Sequence, residues 1–128
     1  MFNFAFDPTA GILQVRVTGS WTLPEVERYA REAGVRFSEA RKAARRLRLL
    51  IDLSAANVLS QGMMEPLAKA GMQYSRADDR VALAVSSTLL KLQMRRMLGD
   101  APIPIFLSVK EANAWLASSD DPAASAAG

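Results

Sequence analysis

The sequence predicts an α/β domain in which one mixed sheet of about five strands, in the order β-β-α-β-α-β-α-β-α, packs against helices. Three observations carry that prediction. Residues 1–19 hold two stretches that alternate apolar and polar side chains with strand period. Arg48–Asp52 and Arg80–Ser86 are short, nearly continuous apolar runs, the pattern of central strands covered on both faces. Around these runs, apolar residues recur every three or four positions, which is helical period.

The first strand sets Phe2, Phe4 and Phe6 against Asn3, Ala5 and Asp7. Asp7-Pro8-Thr9-Ala10-Gly11 is turn chemistry, and the alternation resumes through Gly19, so the chain opens with an antiparallel hairpin. Thr22, Pro24 and Glu25 supply a capping hydroxyl, an early proline and an acid at the third helical position. From there Val26, Ala30, Ala33, Phe37, Ala40 and Ala44 form one apolar stripe, with Gly34 marking a kink or a close contact. Strand 47–53 follows, then a loop, then a helix from roughly 62 to 76. Pro66 is comfortable only in a first turn, so that helix is expected to begin no more than about a turn before it. Strand 80–86 leads into a helix capped by Ser86-Ser87-Thr88 and ended by Gly99-Asp100-Ala101-Pro102. A last short strand, 103–107, precedes a helix over 109–117 opened by the capping box of Ser108 and Glu111. The 128 residues suit one domain over 1–117. Residues 118–128, small, polar and alanine-rich, read as a disordered tail.

Half of the residues are hydrophobic and 23% are charged, an ordinary globular profile. No secretory pattern is read at the start and no apolar run reaches the roughly 20 residues that span a bilayer, so a cytoplasmic location is expected. The chain contains neither cysteine nor histidine. That removes disulfides, Ser-His-Asp and Cys-His nucleophile systems, and the usual zinc ligands, leaving acid–base work to carboxylates, Lys or Tyr. A non-catalytic role without cofactor or metal is the expectation. The net charge of +3 is not accompanied by a nucleic-acid reading motif, so no nucleic-acid partner is expected.

Two local signatures sit on this element order. The first is Leu50-Ile51-Asp52-Leu53-Ser54 leading to Gly62; the second is Phe106-Leu107-Ser108-Val109-Lys110-Glu111-Ala112-Asn113-Ala114-Trp115-Leu116. Together they resemble the STAS superfamily, and within it the SpoIIAA-like, STAS/SEC14-type group. The first is similar to the strand, DLS and helix-opening loop of the anti-sigma-factor antagonists, the second to the closing strand and last helix of SpoIIAA-like proteins. The antagonists regulate through a phosphoacceptor serine in an Asp-Ser-Ser-Gly-like stretch. Aligned on the DLS without gaps, Ser60 takes the place of the aspartate, Gln61 of the first serine and Gly62 of the acceptor. The resemblance therefore does not carry a phosphoswitch, and Ser60 reads most simply as a helix cap.

Asp52 and Ser54 emerge where ligands and partners usually meet an open α/β sheet. The plainer reading of Asp52 is a carboxylate that accepts backbone N–H groups of its own loop. Ser86, Ser87 and Thr88 form a candidate anion site at a helix N-terminus, against the simpler reading of a cap. Arg41, Lys42, Arg45, Arg46 and Arg48 could meet an acidic partner or lipid, or merely complement a helix dipole. On the second helix Met63, Leu67, Ala70 and Tyr74 form one apolar line, with Met64, Ala68, Gly71 and Met72 beside it. Met94, Met97 and Leu98 extend that surface from the next helix, and adaptable methionines suit binding.

The leading expectation is a STAS-like regulatory or interaction domain that binds an unknown protein partner through the 54–74 loop and helix. Its candidate surface comprises Asp52, Ser54, Ser60, Met63, Met64, Leu67, Met72 and Met94, and the same apolar face suits a homodimer. The alternative is SEC14-like binding or sensing of a small apolar or lipid-like ligand. A pocket is then expected between the 62–76 and 88–98 helices and the sheet.

Overall fold

A computed structural model of the chain describes residues 1–19, 21–56, 61–74 and 76–118, with the backbone alone at 61, 63, 64, 68, 71 and 72. The elements run β1 (Phe2–Asp7), β2 (Ile12–Gly19), α1 (Leu23–Ala43), β3 (Arg48–Ala56), α2 (Gln61–Met72), β4 (Arg80–Val85), α3 (Thr88–Leu98), β5 (Ile105–Phe106) and α4 (Val109–Ser118). They form a five-stranded mixed sheet in the order β1-β2-β3-β4-β5, with β1 antiparallel to β2 and every later pair parallel. This is the α/β order expected from periodicity. Local differences are a β3 three residues longer than 47–53 at its C-terminal end, a β5 shortened to two residues, and an α4 that reaches Ser118.

Each boundary has a local cause. In the hairpin turn the Asp7 Oδ1 accepts the Thr9 N–H at 2.9 Å, and Gly11 takes φ 69°, a conformation open to glycine at no steric cost. Thr22 caps α1 by accepting the Glu25 N–H, and Pro24 falls in the first turn. Ser87 accepts the Leu90 N–H at 3.1 Å and Ser108 the Glu111 N–H at 3.2 Å, so both serines satisfy donors that a helix start would orphan. In α2, Pro66 lies five residues past Gln61 rather than within one turn of it. Its missing N–H and its ring cost the helix one bond, so α2 is held by its neighbours more than by its own ladder.

Strands β2 to β5 advance across the sheet in one direction. Right-handed crossovers then place all three connecting helices on one face. The packing follows this rule. The larger core joins Phe2, Leu13, Val15, Leu49, Leu53 and Leu83 to Phe37 of α1, Ala70 of α2 and Leu90 and Met94 of α3. The other face carries only α4, whose Ala112 and Leu116 close over Ile12, Leu50, Ala82 and Ala84. Each fully buried Leu in these cores contributes roughly 1.5–3 kcal/mol relative to leaving it exposed.

The crossover face is crowded. Helices are about 10 Å wide whereas strands lie about 4.8 Å apart, so three helices do not fit side by side over four strands. α2 is the one displaced outward, packing on α1 and α3 rather than lying on the sheet. Gly34 of α1 makes room for it: a Cβ there would stand 2.8 Å from Cζ of Tyr74. The glycine thus marks a close contact. A part-buried ion pair fastens the same corner. Arg41 Nη2 donates to Asp79 Oδ2 at 2.6 Å and to the Tyr74 carbonyl at 2.9 Å, while Asp79 Oδ2 also accepts the Arg76 N–H at 2.8 Å. The pair joins the last turn of α1 to the chain between α2 and β4.

Candidate apolar ligand cavity

Lifting α2 off the sheet leaves space beneath it. A cavity of about 70 Å³ lies between the three helices and the sheet. Its floor is Val17 of β2, Leu49, Ile51 and Leu53 of β3, and Val81 and Leu83 of β4, the side chains that strand alternation directs to this face. Tyr29 of α1, Leu67 of α2, and Met94, Met97 and Leu98 of α3 make the walls, with Trp21 and Ile103 at its margins. Among the described residues no ionisable group other than the Tyr29 phenol lines it. Burial pushes that phenol up to about 12, so it stays neutral over the whole physiological range. Among the described residues its lining carries no charged side chain.

Two aromatic residues at its margin were not singled out in the sequence. Trp21 directly precedes the Thr22 cap and Val26 is the fourth helical residue, the positions of a hydrophobic staple, and both are buried. Tyr29 falls on the buried series Val26, Tyr29, Ala33, Phe37, Ala40, in the place that the expected stripe assigns to the half-buried Ala30. Phe2 stacks on Trp21 with ring centroids 5.7 Å apart, and Tyr29 stands edge-on to Trp21 at 5.4 Å. The hairpin's first strand thereby buttresses this end of the cavity.

The sequence-derived candidates divide. Leu67 and Met94 line the cavity, and Met97 and Leu98 lie with them. Asp52 is only 4% exposed and cannot serve as an exposed contact. Its role is local. Between the pairs Arg16–Asp52 and Thr18–Ala55, β2 has one residue and β3 has two, which makes a bulge at Leu53-Ser54. Asp52 Oδ1 accepts both the Ser54 N–H at 3.0 Å and the Ser54 hydroxyl at 2.5 Å, so the carboxylate and Ser54 stabilise the bulge together. Met94, 1% exposed, is likewise internal rather than part of a docking surface. Ser60 and the side chains of Met63, Met64 and Met72 lie outside the described residues. At the proposed anion site, Ser87 is committed as the α3 cap and Ser86 and Thr88 are exposed beside it.

The basic run separates in the same way. Arg41 turns inward to Asp79, whereas Arg45, Arg46 and Arg48 line an open cleft of about 480 Å³ with Asp78, at the edge where β3 and β4 begin. Arg80 at that edge is buried, lying 4.1 Å from the Trp115 ring and donating Nη2 to the Trp115 carbonyl at 2.7 Å. Burial first, and then the neighbouring Arg46 and Arg48, lower its pKa from the ordinary value.

Among the described residues no helix is long and apolar enough to cross a membrane. No family model matches the chain, and neither a curated protein nor a solved structure does.

Proposed function

We propose that this chain is a non-catalytic binding domain that holds a small apolar ligand beneath α2, in the manner of a sensor or carrier. The observation that carries the reading is the apolar cavity walled by Leu67, Met94 and Met97. An unfilled void of this size forgoes on the order of 2 kcal/mol of packing, a large share of the stability of an ordinary domain. An occupant recovers that loss. The size also sets the class of occupant. About 70 Å³ is half of the roughly 150 Å³ in an engineered apolar cavity that takes benzene. Methionine side chains, with three rotatable bonds each, can widen the space for a ring or a short chain. A two-chain lipid is too large for it, which narrows the SEC14-like alternative to a small molecule. Kinship with the STAS/SEC14-type group remains part of this proposal, on the two local signatures above.

The protein-partner reading joins this one through Leu67. Because α2 both covers the cavity and carries the outward part of the 54–74 segment, filling the cavity moves the surface on which a partner would dock.

Benzene titration followed by the methyl NMR signals of the methionines tests the proposal. Saturable shifts at Met94 and Met97 are expected, and Leu67→Trp should abolish them while leaving the circular dichroism spectrum unchanged. Benzene that moves neither methyl signal at saturation overturns the reading.

A further inference from the structure

The cavity wall contains one polar feature that apolar packing does not explain. Trp21 is 7% exposed and lines the cavity, and its buried Nε1–H has no hydrogen-bond partner among the described residues. A buried donor left unsatisfied is costly, and natural cores rarely keep one without a reason. The position did not need an indole to fill its volume, since Phe2 stacks on the ring and Tyr29 meets it edge-on, contacts that a phenyl group also makes.

We propose that the ligand of this cavity is a neutral, mostly apolar molecule bearing one hydrogen-bond acceptor, such as a ketone or aldehyde carbonyl, which takes the Trp21 Nε1–H. This rests on the cavity reading above and adds the acceptor to it. Neutrality follows from the lining: without a cationic side chain, a carboxylate or phosphate would surrender its hydration for neutral donors alone. Tyr29, a second residue of the lining with a neutral polar group, carries no charge there either.

Cyclopentanone and methylenecyclopentane are near-isosteres that differ in the acceptor, and their affinities can be compared in Trp115→Phe protein, where Trp21 is the sole fluorophore of its kind. The two differ in solubility, so the informative quantity is their affinity ratio and its change on Trp21→Phe. That ratio should fall by about three- to tenfold, the effect of one neutral hydrogen bond. In the Trp21-containing protein, the indole N–H resonance should move downfield with the ketone and not with the hydrocarbon; this readout stands even if Trp21→Phe fails to fold. An unchanged ratio with an unmoved indole resonance, while both compounds bind, overturns the acceptor and leaves the cavity reading intact. Failure of both compounds to bind overturns both.

Discussion

The two faces of the sheet solve the same packing problem with opposite results. On the α4 face, Ala82, Ala84, Ala112 and Leu116 are fully buried against one another, because small residues let one helix settle close to the strands. Among the described residues α4 follows β5 and is not a crossover between two strands of the sheet. On the crossover face each helix is tied at both ends to neighbouring strands, and three of them are wider than the sheet beneath. The lesson is that a void can follow from topology. Large apolar side chains do not prevent it: the face rich in Leu, Met and aromatic residues holds an apolar cavity under its displaced helix, whereas the space beside α4 is an open groove along the hairpin.

The largest expected effect comes from the corner that holds the crowded face together. Asp79→Ala leaves the part-buried Arg41 without its carboxylate and should cost about 3–5 kcal/mol in urea unfolding. A loss below about 1 kcal/mol would mean that the corner is held by packing alone.

The comparison itself is tested by a pair of truncations. Leu116→Ala, on the closed face, should cost about 4 kcal/mol, as for a fully buried leucine whose neighbours cannot collapse. Met97→Ala, half-buried beside an existing void, should cost only about 1–2 kcal/mol. Equal losses would show the two faces to be packed alike and remove the contrast.

A third effect is read with alkali. Burial raises the Tyr29 phenol to about 12, above its ordinary value of 10. Below pH 10 both the folded and unfolded chains keep the proton and the contribution is fully present. Between pH 10 and 12 the unfolded chain loses it first, so stability should fall by up to roughly 3 kcal/mol. Subtracting the pH profile of Tyr29→Phe isolates this slope; parallel profiles would falsify the buried, neutral phenol.

The smallest effect concerns the displaced helix. Gly34→Ala adds about 1 kcal/mol of helix propensity to α1 but drives its methyl group into the Tyr74 ring. The net change should lie near zero or be slightly destabilising. In a Tyr74→Ala background the same substitution should turn stabilising by about 1 kcal/mol. If its sign is the same in both backgrounds, the ring does not rest on Gly34.

Much of this architecture was legible without coordinates, because it is written in local chemistry. Phe2, Phe4 and Phe6 alternate, Thr22, Ser87 and Ser108 sit where helix starts need an acceptor, and Gly11 stands where a turn needs positive φ. These signals depend on neighbours a few residues apart, so they determined the element order; the common face of α1, α2 and α3 follows from crossover handedness only once the strand order is known. The candidate site was only half legible. Leu67 and Met94 stood out as apolar residues at helical spacing, but spacing cannot tell a wall of a cavity from an outer surface. Of the two readings of Asp52, a strand-end contact and an acceptor of its own loop's N–H, the structure shows the second, at a bulge that only the β2–β3 register reveals. Trp21 and Tyr29 were not legible as site residues at all: their shared place at the cavity depends on β1 folding back against α1. What tertiary structure alone decided is the space between elements. It is set by widths, tethers and crossing distances that involve residues scattered from Val17 to Ile103, and no local window of the chain contains them.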